Sequence, residues 1–520
     1  MADYLPRLTA VSARSHHNSF ISDEDYDKQI RDLVTYLQQP IRASELSSFS
    51  DSILDLSFQS VRGDRLLTIV VVYSQNLDPY LHSLSYVYVF LLRIRFIQGN
   101  NESRLPEQFY PGGELWLKAV RFLRGFDPFQ IRYAGHEWRQ LVELVIQATR
   151  EISKPLLAVP VIRDTLLRLD PSSEVLTSVH ISFVKLTLMS RSYSLALPIL
   201  EKQICHFPAV TGQAYQKYHQ PILCGDHESS LMFITDASGF SKKLTYRDHL
   251  QFFLYSAMVY MALKRWDEAL HYLSIVISCP VTNAISKIMV EGYKKWVLAS
   301  LLRYGKLVSH PNIISSHVIR ACQSLAKPYI SLADAFEKGD FQRMKSEVHA
   351  ARSIWHMDKN TGLVYQVIST FSKRRTLKLG RTFSALTISD VAQQASDPPA
   401  PLDEVESLVA SLVMSRALDA VMLHSYEYDD TMLRFSSAAK SRFLQEYSAR
   451  EQILQEGRLL GIVAQSSYRA NHGLELGNEN LLFLQKSLRW SDGPGKGVAS
   501  AGDEASSGID IEEDIMGDIH

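Results

Sequence analysis

Between residues 381 and 435 the chain alternates helix-favouring and helix-breaking runs in an order that few folds can accommodate. A first helix is predicted to end near Leu386, and Thr387-Ile388-Ser389-Asp390 opens a second through Val391 and Ala392. Asp397-Pro398-Pro399-Ala400-Pro401 cannot continue that helix, because proline lacks the amide donor and restricts the residue before it. Val405, Leu408, Val409, Leu412 and Val413 recur at i, i+3, i+4, i+7 and i+8, which predicts a third helix with one apolar face. Two short apolar runs follow, Leu418–Leu423 and Thr431–Phe435, split by the polar turn His424–Asp430, and they predict a hairpin. Three helices and a hairpin make a winged helix.

Such a module invites a nucleic-acid reading. In helix-turn-helix readers the start of the recognition helix meets bases and phosphates. Here that start carries Asp403, Glu404 and Glu406. Carboxylates there suit the helix dipole but repel a phosphate backbone, whose neutralisation supplies most of the binding energy. The basic run Lys373, Arg374, Arg375, Lys378 and Arg381 lies on the preceding helix and reads as a solvated face. The module therefore reads as a protein–protein element.

With 520 residues the chain should divide into two or more domains. Hydrophobic residues make up 46% and charged residues 21%, an ordinary globular balance, and a net charge of −1 offers no field to recruit nucleic acid or anionic lipid. Cys205, Cys224, Cys279 and Cys322 stand far apart without a CxxC pair, as expected of reduced thiols in a reducing compartment. The opening residues show no signal-peptide pattern. Tyr80–Ile97 is the most apolar run, but His82, Arg93 and Arg95 interrupt it, so a core helix is expected rather than a membrane span. A soluble chain of the cytoplasm and nucleus is the expectation.

Before residue 381 nearly everything reads as helices joined by short polar turns, organised as residues 23–370. In Tyr246–Pro280, Phe253, Ala257 and Tyr260 share one helix, Lys264-Arg265-Trp266 turns the chain, and Ala269 and Leu273 lie on the next. This approximates a tetratricopeptide unit. Weaker copies are Val179–Leu200, with Tyr193, Ala196 and Leu200, and Leu325–Trp355, where Gly339-Asp340-Phe341 makes the turn. One helix pair cannot bury its own apolar face, so neighbours are expected to stack into a right-handed solenoid, the alternative being a helical domain without regular superhelical form. The fold class is thus mostly α, a TPR-like solenoid followed by a winged helix over 371–436.

Residues 1–22 are expected to be flexible, 207–245 to form a long loop, and the Gly/Ser-rich, then acidic, 491–520 to be a disordered tail. Over 437–490 the main feature is a helix, Ala438–Ser467, with Phe443, Tyr447, Leu454, Leu460 and Ala464 on one stripe. A lone helix cannot bury that stripe on itself. It either folds back on the winged helix or joins helices of other chains.

Patterns for catalysis are absent. His136-Glu137 lacks the second histidine of HExxH, no HxH pair occurs, and no G-x-S-x-G elbow is present. Gly493-Pro494-Gly495-Lys496-Gly497 lacks the spacing and hydroxyl of a phosphate loop. Cys205-His206 and Cys224 with His227 are sequence neighbours without any sign of nucleophile–base geometry. No catalytic, cofactor or metal residue is assigned.

A helical-repeat chain running into a winged helix, with turns like Phe336-Glu337-Lys338-Gly339-Asp340-Phe341, resembles the PCI family. That family provides scaffold subunits of the proteasome lid, the COP-9 signalosome and the translation initiation factor three complex. Three strings are similar to signalosome members: Glu291–Leu301 with its Tyr293-Lys294-Lys295, Thr382–Ala392, and Phe483-Leu484-Gln485-Lys486-Ser487-Leu488. The resemblance implies a non-catalytic scaffold in a complex that removes a ubiquitin-like modifier from cullins in cullin–RING ubiquitin ligases, with the isopeptidase on another subunit. It implies no cofactor, other PCI and MPN subunits as partners, winged helices joined edge to edge, and C-terminal helices gathered in one bundle. The wing edge would then be Leu418, Val421, Leu423, Met432, Leu433 and Phe435; the bundle residues would be Phe443, Tyr447, Leu454, Leu460, Phe483 and Leu484. A proteasome-lid paralogue and a nucleic-acid-binding PCI protein are the alternatives.

Overall fold

The structure, a computed structural model, describes residues 5–13, 22–39, 77–98, 105–209, 222–225, 229–280, 285–311, 314–395, 401–415, 417–418, 420–424, 431–435, 453–454, 456–457, 459–477 and 511–512. These are mostly helical, and the chain divides into two units, residues 1–259 and 260–518.

In the first unit the helix Ser83–Gln98 is buried from Ser83 through Leu91 and again at Ile94. Its rings pack on neighbours: Tyr86 stacks on Phe122 at 5.3 Å, and Phe90 meets Phe109 at 6.5 Å. The apolar run is therefore a core helix, and among the described residues no helix is long and apolar enough to cross a membrane. The opening residues depart from expectation. Leu8, Val11 and Ala13 are buried, the Ser85 hydroxyl donates to Leu8 O at 2.8 Å, and the Tyr26 hydroxyl donates to Ser12 O at 2.8 Å. Apolar side chains spaced through a polar segment give it something to bury, and residues 5–13 are packed.

The described parts of the 207–245 insertion are packed as well. Buried Arg132 donates to Leu223 O and Gly225 O, each at 3.0 Å, and its guanidinium lies 4.1 Å from the Phe233 ring centre. Phe240 meets the Trp138 ring edge-on at 5.6 Å. A cation that donates to two loop carbonyls and lies against an aromatic ring of the insertion holds an irregular segment in place.

The helix ends share one device. Ser153, Arg191, Lys264, Gly339 and Lys359 each have positive φ, between 54° and 76°. The amide after each donates to the carbonyl five residues back: Lys154 to Thr149, Ser192 to Thr187, Arg265 to Tyr260, Asp340 to Ala335, and Asn360 to Trp355, at 2.9–3.1 Å. The amide at each left-handed residue itself donates three residues back. These are Schellman closures, which satisfy orphan carbonyls and reverse the chain. One of them lies between the helices Tyr246–Ala262 and Trp266–Ser278, at the expected turn. Another joins Lys327–Lys338 to Phe341–Ala350 at Gly339, with the Asp340 side chain accepting from Arg343 N to start the next helix.

The second unit is organised around the helix Lys287–Tyr304, nearly all of which is buried. Glu291 and Lys295 pair one turn apart inside it, and Lys294 reaches Asp358 at 2.8 Å. The Tyr329 hydroxyl donates to Asp358 at 2.8 Å, and Asn360 Nδ2 donates to Tyr329 at 2.9 Å and to Glu291 at 3.2 Å. This network ties Lys287–Tyr304 to Lys327–Lys338 and to the turn from which the helix Thr361–Thr382 departs. At the far end Arg374 Nη2 donates to Leu302 O at 3.1 Å and to Arg303 O, capping the carbonyl end of Lys287–Tyr304. Gly305 follows with φ +71°, and a Cβ there would lie 2.6 Å from the Arg374 guanidinium. So the basic run is not simply a solvated face: Arg374 is a helix cap.

Thr361–Thr382 leads into the winged helix. Strand β2 (Ala385–Thr387) follows, then the helices Ile388–Ala395 and Leu402–Met414, then β3 (Ala420–Leu423) and β4 (Met432–Phe435). The strand order is β2-β4-β3, all antiparallel. Thr387 and Asp390 exchange cap hydrogen bonds at the start of Ile388–Ala395, as their spacing suggests. The first helix stops at Thr382, however, not near Leu386; Ala385–Thr387 is extended and pairs with β4. Val405, Val409 and Leu412 close over Ile388, Val391, Leu433 and Phe435 as one core. Gly380 is where this core approaches the long helix: a Cβ would lie 3.1 Å from both Leu418 and Phe435. Elsewhere, Ile285–Ser286 (β1) pairs in parallel with Ile511–Glu512 (β5), the part of the acidic tail that is described.

Arg374→Ala should lower the unfolding free energy by about 1–2 kcal/mol, since it leaves the part-buried Leu302 carbonyl and the terminal Arg303 carbonyl without this donor. Lys378→Ala should change it by under about 0.5 kcal/mol. Equal effects in urea denaturation would return Arg374 to the solvated face.

Candidate assembly surfaces

The wing sorts its residues by strand alternation. Leu433 and Phe435 point inward, as do Ala420 and the adjoining Leu418, all of them buried. Val421, Leu423 and Met432 point outward and are about half exposed. Leu423 faces Met432 across the sheet and Val421 faces Arg434. Two corrections follow. Leu418, Leu433 and Phe435, expected at the wing edge, belong to the core, because a period-two strand cannot offer consecutive residues to one partner. β4 is not an edge at all; it is paired on both sides, and the open edges are β2 and β3. β3, with Val421 and Leu423 outward, keeps a row of backbone groups unpaired within the sheet.

The start of the third helix is acidic and exposed at Asp403 and Glu404. Glu406 is engaged elsewhere. It accepts from the Thr431 hydroxyl at 3.2 Å, and that hydroxyl lies 2.9 Å from His424 Nδ1, so the three residues join the helix to the root of the wing.

The second surface is the C-terminal helix, described at 453–454, 456–457 and 459–477 and so extending ten residues past the expected end. Phe443, Tyr447, Phe483 and Leu484 lie outside the described residues. Leu454 and Leu460 are exposed, Leu460 at 70%. Ile453, Leu459, Ile462 and Val463 are exposed too, and sequence reading missed them because it sought a single stripe. At about 100° per residue these six side chains point to every side of the helix. Such a helix is normally buried on all sides.

Its last turns are held differently. His472 and Leu476 are buried, and His472 Nδ1 lies 2.9 Å from His271 Nε2 on the helix Trp266–Ser278. The two rings are 5.2 Å apart, and Tyr272 lies 6.2 Å from His472. Burial pushes the His271 imidazole down to about 3, and the charges of His472 and Arg469 add to this. One turn back, burial opposes ionisation of Asp267. Hydrogen bonds from Arg303 (2.8 Å) and Tyr304 (3.0 Å), with the charges of Arg303 and Arg469, outweigh it and lower its carboxyl. The described end of the helix therefore seats on a repeat helix of the same unit.

The four cysteines are buried and form no disulfide, and burial pushes the Cys322 thiol up to about 11. Among the described residues no three His, Cys, Asp or Glu side chains gather as metal ligands would.

A family model described as COP9 signalosome complex subunit 3, N-terminal helical repeats, matches residues 64–223 and 227–319. COP9 signalosome complex subunit 3 of Emericella nidulans is 46% identical over 519 residues, covering 100% of both chains. The chain belongs to the COP9 signalosome complex subunit 3 family. Proteins of the same name from Neurospora crassa (26% over 459 residues, 85% of this chain and 88% of that protein) and Dictyostelium discoideum (27% over 309 residues, 59% and 64%) are similar to it. The matched repeats span both units. The winged helix and the C-terminal helix enter through the full-length likeness to the Emericella member of the COP9 signalosome complex subunit 3 family.

Three desolvated histidines make the fold acid-sensitive. His180 is pushed down to about 4 by burial, only partly offset by Asp170, and caps the helix Ser178–Met189 through its ring nitrogen. His249, between Phe207 and Phe253, is pushed down to about 3 by burial, as is His271. Folded values below the ordinary 6.5 mean that the unfolded chain binds more protons under that pH. Stability is thus complete above about 6.5 and falls as pH drops toward the folded values, by about 2 kcal/mol per imidazole at pH 5. Denaturation midpoints at pH 7 and pH 5 should differ, and His249→Leu should narrow the gap; identical midpoints would show that these imidazoles stay solvated.

Proposed function

We propose that the chain is a non-catalytic scaffold subunit of the COP9 signalosome, bound to other PCI and MPN subunits through its winged helix and C-terminal helix. The carrying observation is the exposed stretch 453–468, apolar on every side, in a chain 46% identical end to end to a signalosome subunit 3. Each apolar side chain left in water forfeits about 1.5–3 kcal/mol relative to burial. A bundle of helices from several subunits covers such a surface on all sides at once, which a single groove does not. The open edge of β3 suits strand addition by a neighbouring winged helix.

The assembled complex, on this reading, removes the ubiquitin-like modifier from cullins in cullin–RING ligases, and the zinc isopeptidase resides on another subunit. The absence of HxH from this sequence is consistent with that division. The site of action is the cytoplasm and nucleus. The exposed Asp403 and Glu404 weigh against a nucleic-acid partner at the third helix.

Leu460→Asp combined with Val463→Asp tests the proposal in the tagged full-length chain. Stoichiometric recovery of PCI and MPN subunits, with no ATPases, is expected for the unaltered chain and should fall at least about tenfold in the variant. Because both side chains are exposed, the melting temperature of the isolated chain should not move. Undiminished recovery would sink the bundle, and recovery of proteasomal ATPases would move the subunit to the proteasome lid.

A further inference from the structure

The imidazole contact that seats the end of the C-terminal helix is polar and largely buried, and among the described residues no third metal-ligating side chain joins it. We propose that His271–His472 is a proton-sensitive latch holding the distal turns of this helix on Trp266–Ser278, so that the apolar turns before them are presented to other subunits from a fixed base. The latch stands on the geometry alone; the presentation clause rests on the assembly reading above.

Two imidazoles 2.9 Å apart share one hydrogen bond, with one nitrogen donating and the other accepting. A first proton can be taken on a distal nitrogen without breaking that bond, but it puts a cation in a buried site beside Arg469. A second proton removes the acceptor and sets two cations against each other. Two carboxylates on Trp266–Ser278 are committed to other partners. Asp267 is held by Arg303 and Tyr304 from Lys287–Tyr304, and Glu268 by Arg265 at 2.9 Å. Tyr272, the aromatic neighbour on the same repeat helix, faces Tyr260 at 5.2 Å, and Arg265 lies over that ring. On the C-terminal helix the flanking charges are Arg469, intermediate in exposure, and exposed Glu475. Docking and proton uptake therefore oppose each other.

Only the last turns are affected. Leu476 adds apolar burial that does not titrate, while Leu459, Leu460, Ile462 and Val463 are already exposed. Release of the latch frees the helix to swing without unfolding the repeat helix beneath it, whose Asp267 stays bonded to Arg303 and Tyr304.

The test is amide hydrogen exchange of residues 459–477 in the full-length chain at pH 7.5 and 5.5, corrected for intrinsic rates. Lys327–Lys338, from the same unit, serves as reference. The opening constant of 459–477 should rise about tenfold more than that of the reference on acidification. In the H271Q/H472Q variant, whose amides keep hydrogen-bonding capacity but do not titrate, the excess should vanish. Parallel behaviour of both segments in the unaltered chain overturns the latch whatever the variant does, and so does an excess that persists in the variant. The two readings fail separately. Loss of partners in the Leu460/Val463 variant with no exchange switch leaves assembly standing without a latch; the reverse leaves the latch and removes its presentation role.

Discussion

Every helix that ends against a core must dispose of its last carbonyls and send the chain back over its own apolar face. In this protein that requirement is met repeatedly by one geometry, a left-handed residue followed by an amide donating five residues back. The closures at Ser153 and Arg191 lie in the first unit, and those at Lys264, Gly339 and Lys359 in the second. Four of these residues are not glycine, and each accepts a steric cost of roughly 1 kcal/mol that the two closing hydrogen bonds and the packing of the next helix must offset. The repeats are thus defined as much by how helices stop as by which faces they bury.

In the second unit the same constraint explains the polar network beneath the winged helix. Asn360 donates its amide to Trp355 O in one closure and its side chain to Glu291 and Tyr329. Tyr293-Lys294-Lys295 then acquires a physical reason. Lys295 neutralises buried Glu291, Lys294 reaches Asp358, and Tyr293 stacks on Trp296 and His310. Buried charges persist only when paired, and here the pairs join two helices to a turn. Arg374 completes the frame from the other end, so that the helix entering the winged helix is fixed to Lys287–Tyr304 near both its ends.

The helical character, the tetratricopeptide-like turns, the core helix at Ser83–Gln98 and the apolar face of Leu402–Met414 were legible, because each rests on periodicity or on a proline or glycine stop. What escaped was set by tertiary partners. Strand β2 is three residues long and exists because β4 lies beside it. The packed insertion depends on Arg132, ninety residues from the carbonyls it binds. Turns at Ser153, Arg191 and Lys359 carry no glycine to announce them. At the wing, apolar composition was visible, but the division into inward Leu433 and Phe435 and outward Val421, Leu423 and Met432 needed the register.

The C-terminal helix shows why one stripe is the wrong question for an assembly element. A stripe describes a helix lying on one surface, as residues 469–476 do on Trp266–Ser278, where buried His472 and Leu476 recur four residues apart. Residues 453–468 obey a different rule, with apolar side chains on all sides and no face reserved for solvent. A single helix that changes from all-round to one-sided patterning must change environment along its length. Its one-sided part is satisfied within this chain, and its all-round part is complementary to several helices that this chain does not supply among its described residues.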